Sequence, residues 1–520
     1  MGKKCTVIRA KDGHLVPILQ RNGIERHLGS CFDGIYAASC WADNYISKRT
    51  ENVIVFGMGD CQIILELINR VPGKLLVYEP EPLVYQQMKT SALYKKAVKN
   101  RKVAFFCEDC LIDLEKSIKT LLDDDWVERT LLVSHPGYQD WYEQEFNALQ
   151  NICQWVCDDI TFMRAPLKRF TESMLRNQIA NLSRMSGGIP LRRLKKGWNP
   201  DLPIILVSAG PSLEKNVEEL KNVCGRALIW CADAALPTLL AHDIIPDLVA
   251  SVDSSKNMNC FSDSRSFFIP LLGSSNTRKE IVAQSKSKVI WGYDHEQTLM
   301  MMKRAGIPLP HIPYYLGVST AMYAAAVELG TKRIIFVGQD LAFAESGESH
   351  VRGRDESGLQ IKKYEIEGYK GGTVLSRMDW IEFKKWFEKM ILLYPDTVVI
   401  NATEGGAYIH GTKQQALADV VKLLPNTENC FAELLMKEEN RISKQETELL
   451  VEEMYQCVRD LKDVQKWGYQ KTFFEKDFHQ MPVMHMVIAY MKILDDEREK
   501  RFEKATVFLQ DEFDKGGWCE

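Results

Sequence analysis

At 520 residues, with 45% hydrophobic and 26% charged side chains, the chain has the composition of a folded protein of roughly two to four domains. A net charge of −4 excludes bulk electrostatic binding of nucleic acid. No run of about 18 apolar residues occurs, so no transmembrane helix and no integral membrane segment are expected. The N-terminus, M-G-K-K-C-T-V-I-R-A-K-D-G, lacks the apolar core of a signal peptide. It satisfies the myristoylation pattern through Gly2 and Thr6, a short match that is set aside. Fourteen cysteines without an export signal read as reduced thiols, which implies a cytoplasmic location. Cys107-x-x-Cys110 and Cys153-x-x-x-Cys157 have spacings met in zinc sites, but the same spacings arise on helices and strand ends. No metal is expected.

Residues 1–50 carry no chemical signal. Asn52 to Phe56 (N-V-I-V-F) reads as a buried strand, followed by Gly57-Met58-Gly59-Asp60 and the apolar helix C-Q-I-I-L-E-L-I. A second strand, Lys74 to Tyr78, ends at Glu79, about twenty residues beyond the glycines. That is the layout of a nucleotide-binding βαβ unit, with Glu79 placed to accept from a ribose hydroxyl. The third glycine of the fingerprint is missing, so the alternative is a Rossmann-like scaffold. From Ala165 to Trp198 the sequence turns basic and helical and breaks at Gly187-Gly188-Ile189-Pro190, which reads as a connecting helix and linker.

Pro203 to Leu213, P-I-I-L-V-S-A-G-P-S-L, reads as a buried parallel strand that turns sharply into a helix along E-K-N-V-E-E-L-K. Gly210 admits a close ligand, Pro211 is preset for a helix start, and Ser212 is placed to cap it. A strand end, a small-residue turn and free helix N–H groups form an anion site, most often for phosphate. The α/β rhythm continues with strands at Ala227–Cys231, Leu248–Val252, Phe267–Gly273, Lys288–Trp291, Arg333–Val337 and Val398–Asn401. Gly317-Val318-Ser319-Thr320 opens a helix before the Arg333 strand. Ser208, Asp233, Asp253, Gln339, Asp340, Thr403 and Glu404 all fall just past strand ends. In a parallel sheet those ends share one rim, where ligands bind. Beyond Asn426 glycine nearly vanishes and heptad-like patterns predict a bundle of about three helices, whose Met-rich faces read as core or, alternatively, as a grip on a partner's helix. The expected class is α/β, in four parts: a Rossmann-like domain at 1–165, a connecting helix and linker at 166–198, a mainly parallel α/β domain at 199–425 and a helical domain at 426–520.

Four segments are recognisable together: V-S-A-G-P-S-L; A-D-A-A-L with I-P-D-L-V-A-S-V-D; G-V-S-T-A-M-Y-A-A-A-V-E-L-G-T-K-R-I-I-F-V-G-Q-D-L-A-F; and N-A-T-E-G-G-A-Y-I-H-G-T. In this order they resemble the motility-associated factor glycosyltransferases of flagellated bacteria, over about residues 50–425. That family shares its domain with proteins related to an archaeal hydroxymethylpterin pyrophosphokinase. The resemblance implies transfer of a nonulosonic acid (pseudaminic, legionaminic or sialic) from its CMP-activated form to Ser or Thr of flagellin. No cofactor beyond that donor is implied.

The central domain is also similar to a class of bacterial sialyltransferases with a G-N-G-P-S-L loop on the nucleotide. Gly210, Pro211, Ser212 and Leu213 keep that loop, whereas Ala209 replaces its Asn. The similarity puts Gly210 and Ser212 at the nucleotide, Asp233 where those enzymes have an Asn near the donor sugar, Ser319 and Thr320 at the sugar carboxylate, and Asp340 at their Asp after the strand. Ser208, Pro211, Gln339 and Thr403 join the donor site from their places on the loop and rim. Two departures stand out. The tyrosines that assist the leaving phosphate are absent between Leu341 and His350, and no His lies near Gly371 to Ser376, where the base belongs. Asp233, Asp253, His350 and Glu404 therefore share the candidacy for general base, with His350 alternatively a donor to the phosphate. The rival implied by the pyrophosphokinase kinship is an ATP- and Mg²⁺-dependent enzyme using Asp233 and Asp253. A non-catalytic flagellin-binding protein is the third reading.

Overall fold

The computed structural model describes residues 3–107, 118, 129–314, 317–344, 347, 349, 362–475, 478–494 and 496–518. Two compact units divide the chain, Met1–Lys168 and Arg169–Glu520.

In the first unit β1 (Lys4–Arg9), β2 (Leu15–Arg21) and β3 (Ile24–His27) form an antiparallel meander. Asn22 and Gly23 join β2 to β3 with φ of 52° and 78°, the double positive-φ turn that Asn-Gly accommodates best. A parallel sheet in the order β6-β5-β4-β7 follows, built from β4 (Asn52–Phe56), β5 (Leu75–Glu79), β6 (Val103–Cys107) and β7 (Thr130–Ser134). Every residue of β4 and β5 is buried, as continuous apolar runs in a covered parallel sheet should be. Phe56 anchors this core against Tyr78, Tyr138 and Phe146.

In the second unit the described strands form one large sheet in the order β18-β17-β14-β9-β10-β11-β12-β13-β8. They are β8 (Ile189–Pro190), β9 (Ile204–Val207), β10 (Leu228–Ala232), β11 (Leu248–Ala250), β12 (Leu271–Gly273), β13 (Val289–Trp291), β14 (Arg333–Val337), β17 (Val398–Asn401) and β18 (Lys413–Gln414). All their pairings are parallel. A separate hairpin joins β15 (Tyr364–Glu367) to β16 (Thr373–Ser376). The stretch read as a linker thus supplies an edge strand, Ile189–Pro190 beside β13.

Alternation along the strands sorts side chains into two cores. Ile205, Val207, Ile229 and Cys231 enter one; Ile204, Leu206, Leu228 and Trp230 enter the other. The first core also takes Met454, Val458, Leu461, Met484, Met486, Leu509 and Phe513 from the C-terminal helices, so their methionine-rich faces are packed interior. Those helices are Phe431–Met436, Lys444–Glu475, Pro482–Met491 and Arg498–Lys515, the second broken at Gly468 with φ of 72°. They lie in the same compact unit as the sheet.

The helix expected along E-K-N-V-E-E-L-K is shorter than its pattern. One α turn, Leu213–Asn216, gives way to a 3₁₀ segment, Val217–Val223. Asn216 leaves the α region (φ −133°, ψ 8°) while its amide donates to Ala402 O and Glu404 Oε1, both at 3.1 Å. Side-chain bonds of this kind draw a backbone out of helix.

Among the described residues no helix is long and apolar enough to cross a membrane. No group of three or more His, Cys, Asp or Glu residues among them could hold a metal ion, and Cys110 lies outside them.

Candidate active site

From β9 the chain steps outward through β10, β11, β12 and β13, then returns to lay β14 on the other side of β9. The loops after β9 and β14 therefore flank the switch point of the strand order at the C-terminal rim, the place where ligands bind in open α/β sheets. The loop after β9 is Ser208 to Ser212; the loop after β14 is Gly338 to Asp340.

These two loops are stitched together. The Ser208 N–H donates to Val337 O and the Gly210 N–H to Gly338 O, each at 2.8 Å. Ser208 Oγ donates to Gln339 Oε1 at 2.6 Å, and Thr403 Oγ1, from the loop after β17, accepts from the Gln339 N–H at 3.2 Å. Asp340 Oδ2 accepts from both the N–H and the Oγ of Ser212, at 3.2 and 2.7 Å. Glycine is required here by space. A Cβ on Gly210 would lie 1.9 Å from Asp340 Oδ2 and 2.4 Å from Gly338 O; one on Gly338, itself at φ 65°, would lie 2.2 Å from Ser208 O. Pro211 is half-buried between them.

Ser212 was expected to cap the helix. It does not, because its Oγ is committed to Asp340. The anion position at the head of this turn is held by the protein's own carboxylate. Burial pushes Asp340 up to about 6, against the pull of the Ser212 hydrogen bonds. Glu404, at φ 60°, accepts through Oε1 from Asn216 Nδ2 and the Leu417 N–H, both at 3.1 Å, and its Oε2 makes no hydrogen bond among the described residues.

One strand over, a second group forms at the ends of β10 and β11. Asp233 is fully buried; its Oδ2 accepts from Ser251 Oγ at 2.7 Å and its Oδ1 lies 2.5 Å from Lys256 Nζ. That contact is a buried ion pair. Asp253 is half-buried and uses Oδ1 on the N–H and Oγ of Ser255, at 2.9 and 3.2 Å. Sequence reasoning missed Lys256. It follows no strand directly, and only the fold of the Ser251–Asn257 loop returns it to the strand end.

Ser319 and Thr320 lie in the first turn of the helix Val318–Glu328, which packs on β9, β10 and β11 and leads into β14. A helix that precedes a parallel strand runs back from the C-terminal rim, so this turn belongs to the same edge of the sheet. Thr320 Oγ1 donates to Gly317 O at 2.8 Å, and Ser319 is half-buried. His350 lies outside the described residues.

The glycine loop of the first unit is arranged differently. Gly57 and Gly59 have φ of 89° and 51°, but a Cβ on them would meet the Tyr138 ring at 2.6 Å and His135 Nε2 at 2.3 Å. The Met58 N–H donates to Glu79 Oε2 at 2.8 Å and the Gly59 N–H to Tyr138 Oη at 3.2 Å; Tyr138 Oη in turn donates to Glu79 Oε2 at 2.7 Å. The groups expected to meet a cofactor are used within the chain, and aromatic side chains fill the space over the glycines. Burial raises Glu79 to about 7.

Residues 176–346 match the family model described as 6-hydroxymethylpterin diphosphokinase MptE-like. No curated protein matches the chain in sequence. Among solved structures, a Maf glycosyltransferase from Magnetospirillum magneticum AMB-1 aligns over 98% of this chain and 90% of its own, with a TM-score of 0.53 and 15% sequence identity. Parallel sheets, C-terminal helices and near-complete coverage agree with that neighbour at the level of fold. The chain thus has the fold of a Maf glycosyltransferase and carries within it an MptE-like domain.

Proposed function

We propose that this chain is a cytoplasmic glycosyltransferase. It moves a nonulosonic acid of the pseudaminic, legionaminic or sialic type from its CMP-activated form to Ser or Thr hydroxyls of flagellin. Inversion occurs at the anomeric carbon, without a metal. The observation that carries the reading is the convergence of Gly210, Ser212, Asp340 and Gly405 where the β9 and β14 loops meet at the switch point of the sheet. The Maf-like fold supports it.

A CMP-linked sugar acid leaves a single phosphate on a tertiary carbon, so its departure builds oxocarbenium character. The protein must stabilise that phosphate and take a proton from the acceptor hydroxyl. In this reading Ser208, Gly210, Pro211, Ser212, Gln339, Asp340 and Thr403 receive the nucleotide, and Ser319 with Thr320 receives the sugar carboxylate. Asp340 must shed its charge or turn aside before a phosphate can use the Ser212 donors, because like charges repel at that distance. Asp233 is tied to Lys256 and Ser251, which leaves Asp253 and Glu404 as the described carboxylates with an uncommitted oxygen for the base.

The test is intact-mass measurement of flagellin incubated with purified protein and a CMP-nonulosonate. A gain equal to one or more sugar residues, with CMP released, is expected; unchanged mass overturns the proposal.

The MptE-like match favours a second reading, pyrophosphoryl transfer from ATP to a pterin with Mg²⁺ held by Asp233 and Asp253. The residues fit that ion poorly, since Asp233 already spends one oxygen on Lys256 and the other on Ser251. AMP release from ATP and hydroxymethylpterin decides between the two.

A further inference from the structure

We propose that Lys256 is a donor-binding residue, held ready by Asp233 and transferred to an anionic oxygen of the incoming CMP-linked sugar acid. The proposal rests on the glycosyltransferase reading above.

Among the described residues Lys256 is the one lysine or arginine that is buried, at 9% exposure. Burying an ammonium with a carboxylate costs desolvation that an apolar pair of the same volume avoids, so packing gives no reason to keep it. The pair stands on the rim that the functional reading uses. Cys231 of β10 pairs with Val207 of β9, so Asp233 and the Ser208–Ser212 loop follow the C-terminal ends of neighbouring strands. The backbone of Lys256 is fixed by Arg278 Nη1, which donates to Lys256 O at 2.7 Å.

An ammonium has three donors. That of Lys256 meets Asp233 Oδ1 at 2.5 Å and has no second hydrogen-bond acceptor among the described residues, and Asp233 has its other oxygen satisfied by Ser251. Asp253 and Cys260 add to the electrostatic field that favours the charged ammonium. The cation is therefore balanced by charge but not saturated by hydrogen bonds. A phosphate or sugar carboxylate oxygen would complete it, and Asp233 would keep its Ser251 bond.

The test separates an exchangeable counter-ion from a structural ion pair by sign. CMP alone (phosphate) and free N-acetylneuraminic acid (carboxylate) are titrated calorimetrically into wild type, Lys256→Met, Lys256→Arg and Asp233→Asn. Lys256→Met is expected to weaken one of the two ligands about tenfold or more and Lys256→Arg to keep most of the affinity. Asp233→Asn frees the ammonium and should tighten the same ligand several-fold. The ligand affected tells which anion the lysine takes. Should Lys256→Met fail to fold, the other two variants still decide. Binding that falls in both Lys256→Met and Asp233→Asn, or moves in neither, overturns the proposal alone. Wild-type protein that binds neither ligand overturns the functional reading and this proposal with it.

Discussion

Asp340 closes the β9 loop by accepting two hydrogen bonds from Ser212 through one oxygen, Oδ2, at 2.7 and 3.2 Å. A carboxylate from one side of the topological switch thereby occupies the anion position of the loop on the other side. On the proposed function, Asp340 competes with the donor phosphate for the Ser212 hydrogen bonds.

That reading predicts pH-dependent ligand binding. Burial raises Asp340 to about 6, so it is an anion above that pH and neutral below it. CMP affinity is expected to rise as pH falls from 7.5 through about 6, and the rise to be absent in Asp340→Asn. The sign for stability agrees. A raised folded-state value means protonation favours the fold, so this group's contribution is present at low pH and lost as pH rises through about 6. Calorimetric titration between pH 5 and 8 checks the binding; urea melts of wild type and Asp340→Asn check the stability.

Space around Gly210 predicts a specific intolerance. The Cβ of Gly210→Ala would collide with Gly338 O, a backbone atom that cannot move without shifting β14's loop. We expect a loss of about 1–3 kcal/mol from overpacking and at least tenfold weaker CMP binding. Gly225→Ala is the control, because Gly225 has a φ of 75° but open space around it. It should cost only about 1 kcal/mol of backbone strain and leave CMP binding unchanged.

Removal of the general base should lower kcat by about 10²- to 10⁴-fold with little change in the donor KM. Asp253→Asn and Glu404→Gln are the two variants that assign it. If both retain wild-type kcat, the base lies among the residues that include His350.

The first unit should ignore dinucleotides. Tyr138 and His135 fill the space over Gly57 and Gly59, and Glu79 accepts from Met58, Glu81 and Tyr138. Millimolar NAD or NADP is expected to leave the melting temperature unchanged. Tyr138→Phe removes the partner of the Gly59 N–H and should cost about 1–3 kcal/mol. Glu79, raised to about 7, favours the fold when protonated and withdraws that support as pH rises through 7. Glu79→Gln should flatten the stability profile between pH 5 and 7.5.

Much of the framework is legible in the chain itself. Apolar runs such as I-I-L-V and N-V-I-V-F read as covered parallel strands, and their spacing by helix-length segments predicts an α/β sheet with polar residues at one rim. Gly210 announces a close approach, although not what approaches. The methionine-rich tail reads as core and packs as core.

Only the tertiary structure decided how the rim residues spend their valences. Ser212 meets Asp340 across 128 positions of sequence because β14 is laid beside β9, and a local pattern contains no strand order. Lys256 reaches Asp233 because a loop doubles back, and Tyr138 caps the glycines of β4 because β7 lies next to that strand. The composition of a strand end says that polar groups are present; hydrogen-bond saturation depends on which neighbour the fold supplies. The loop after β9 was therefore recognisable from its residues as a tight small-residue turn, while its partner, Asp340, was set by topology.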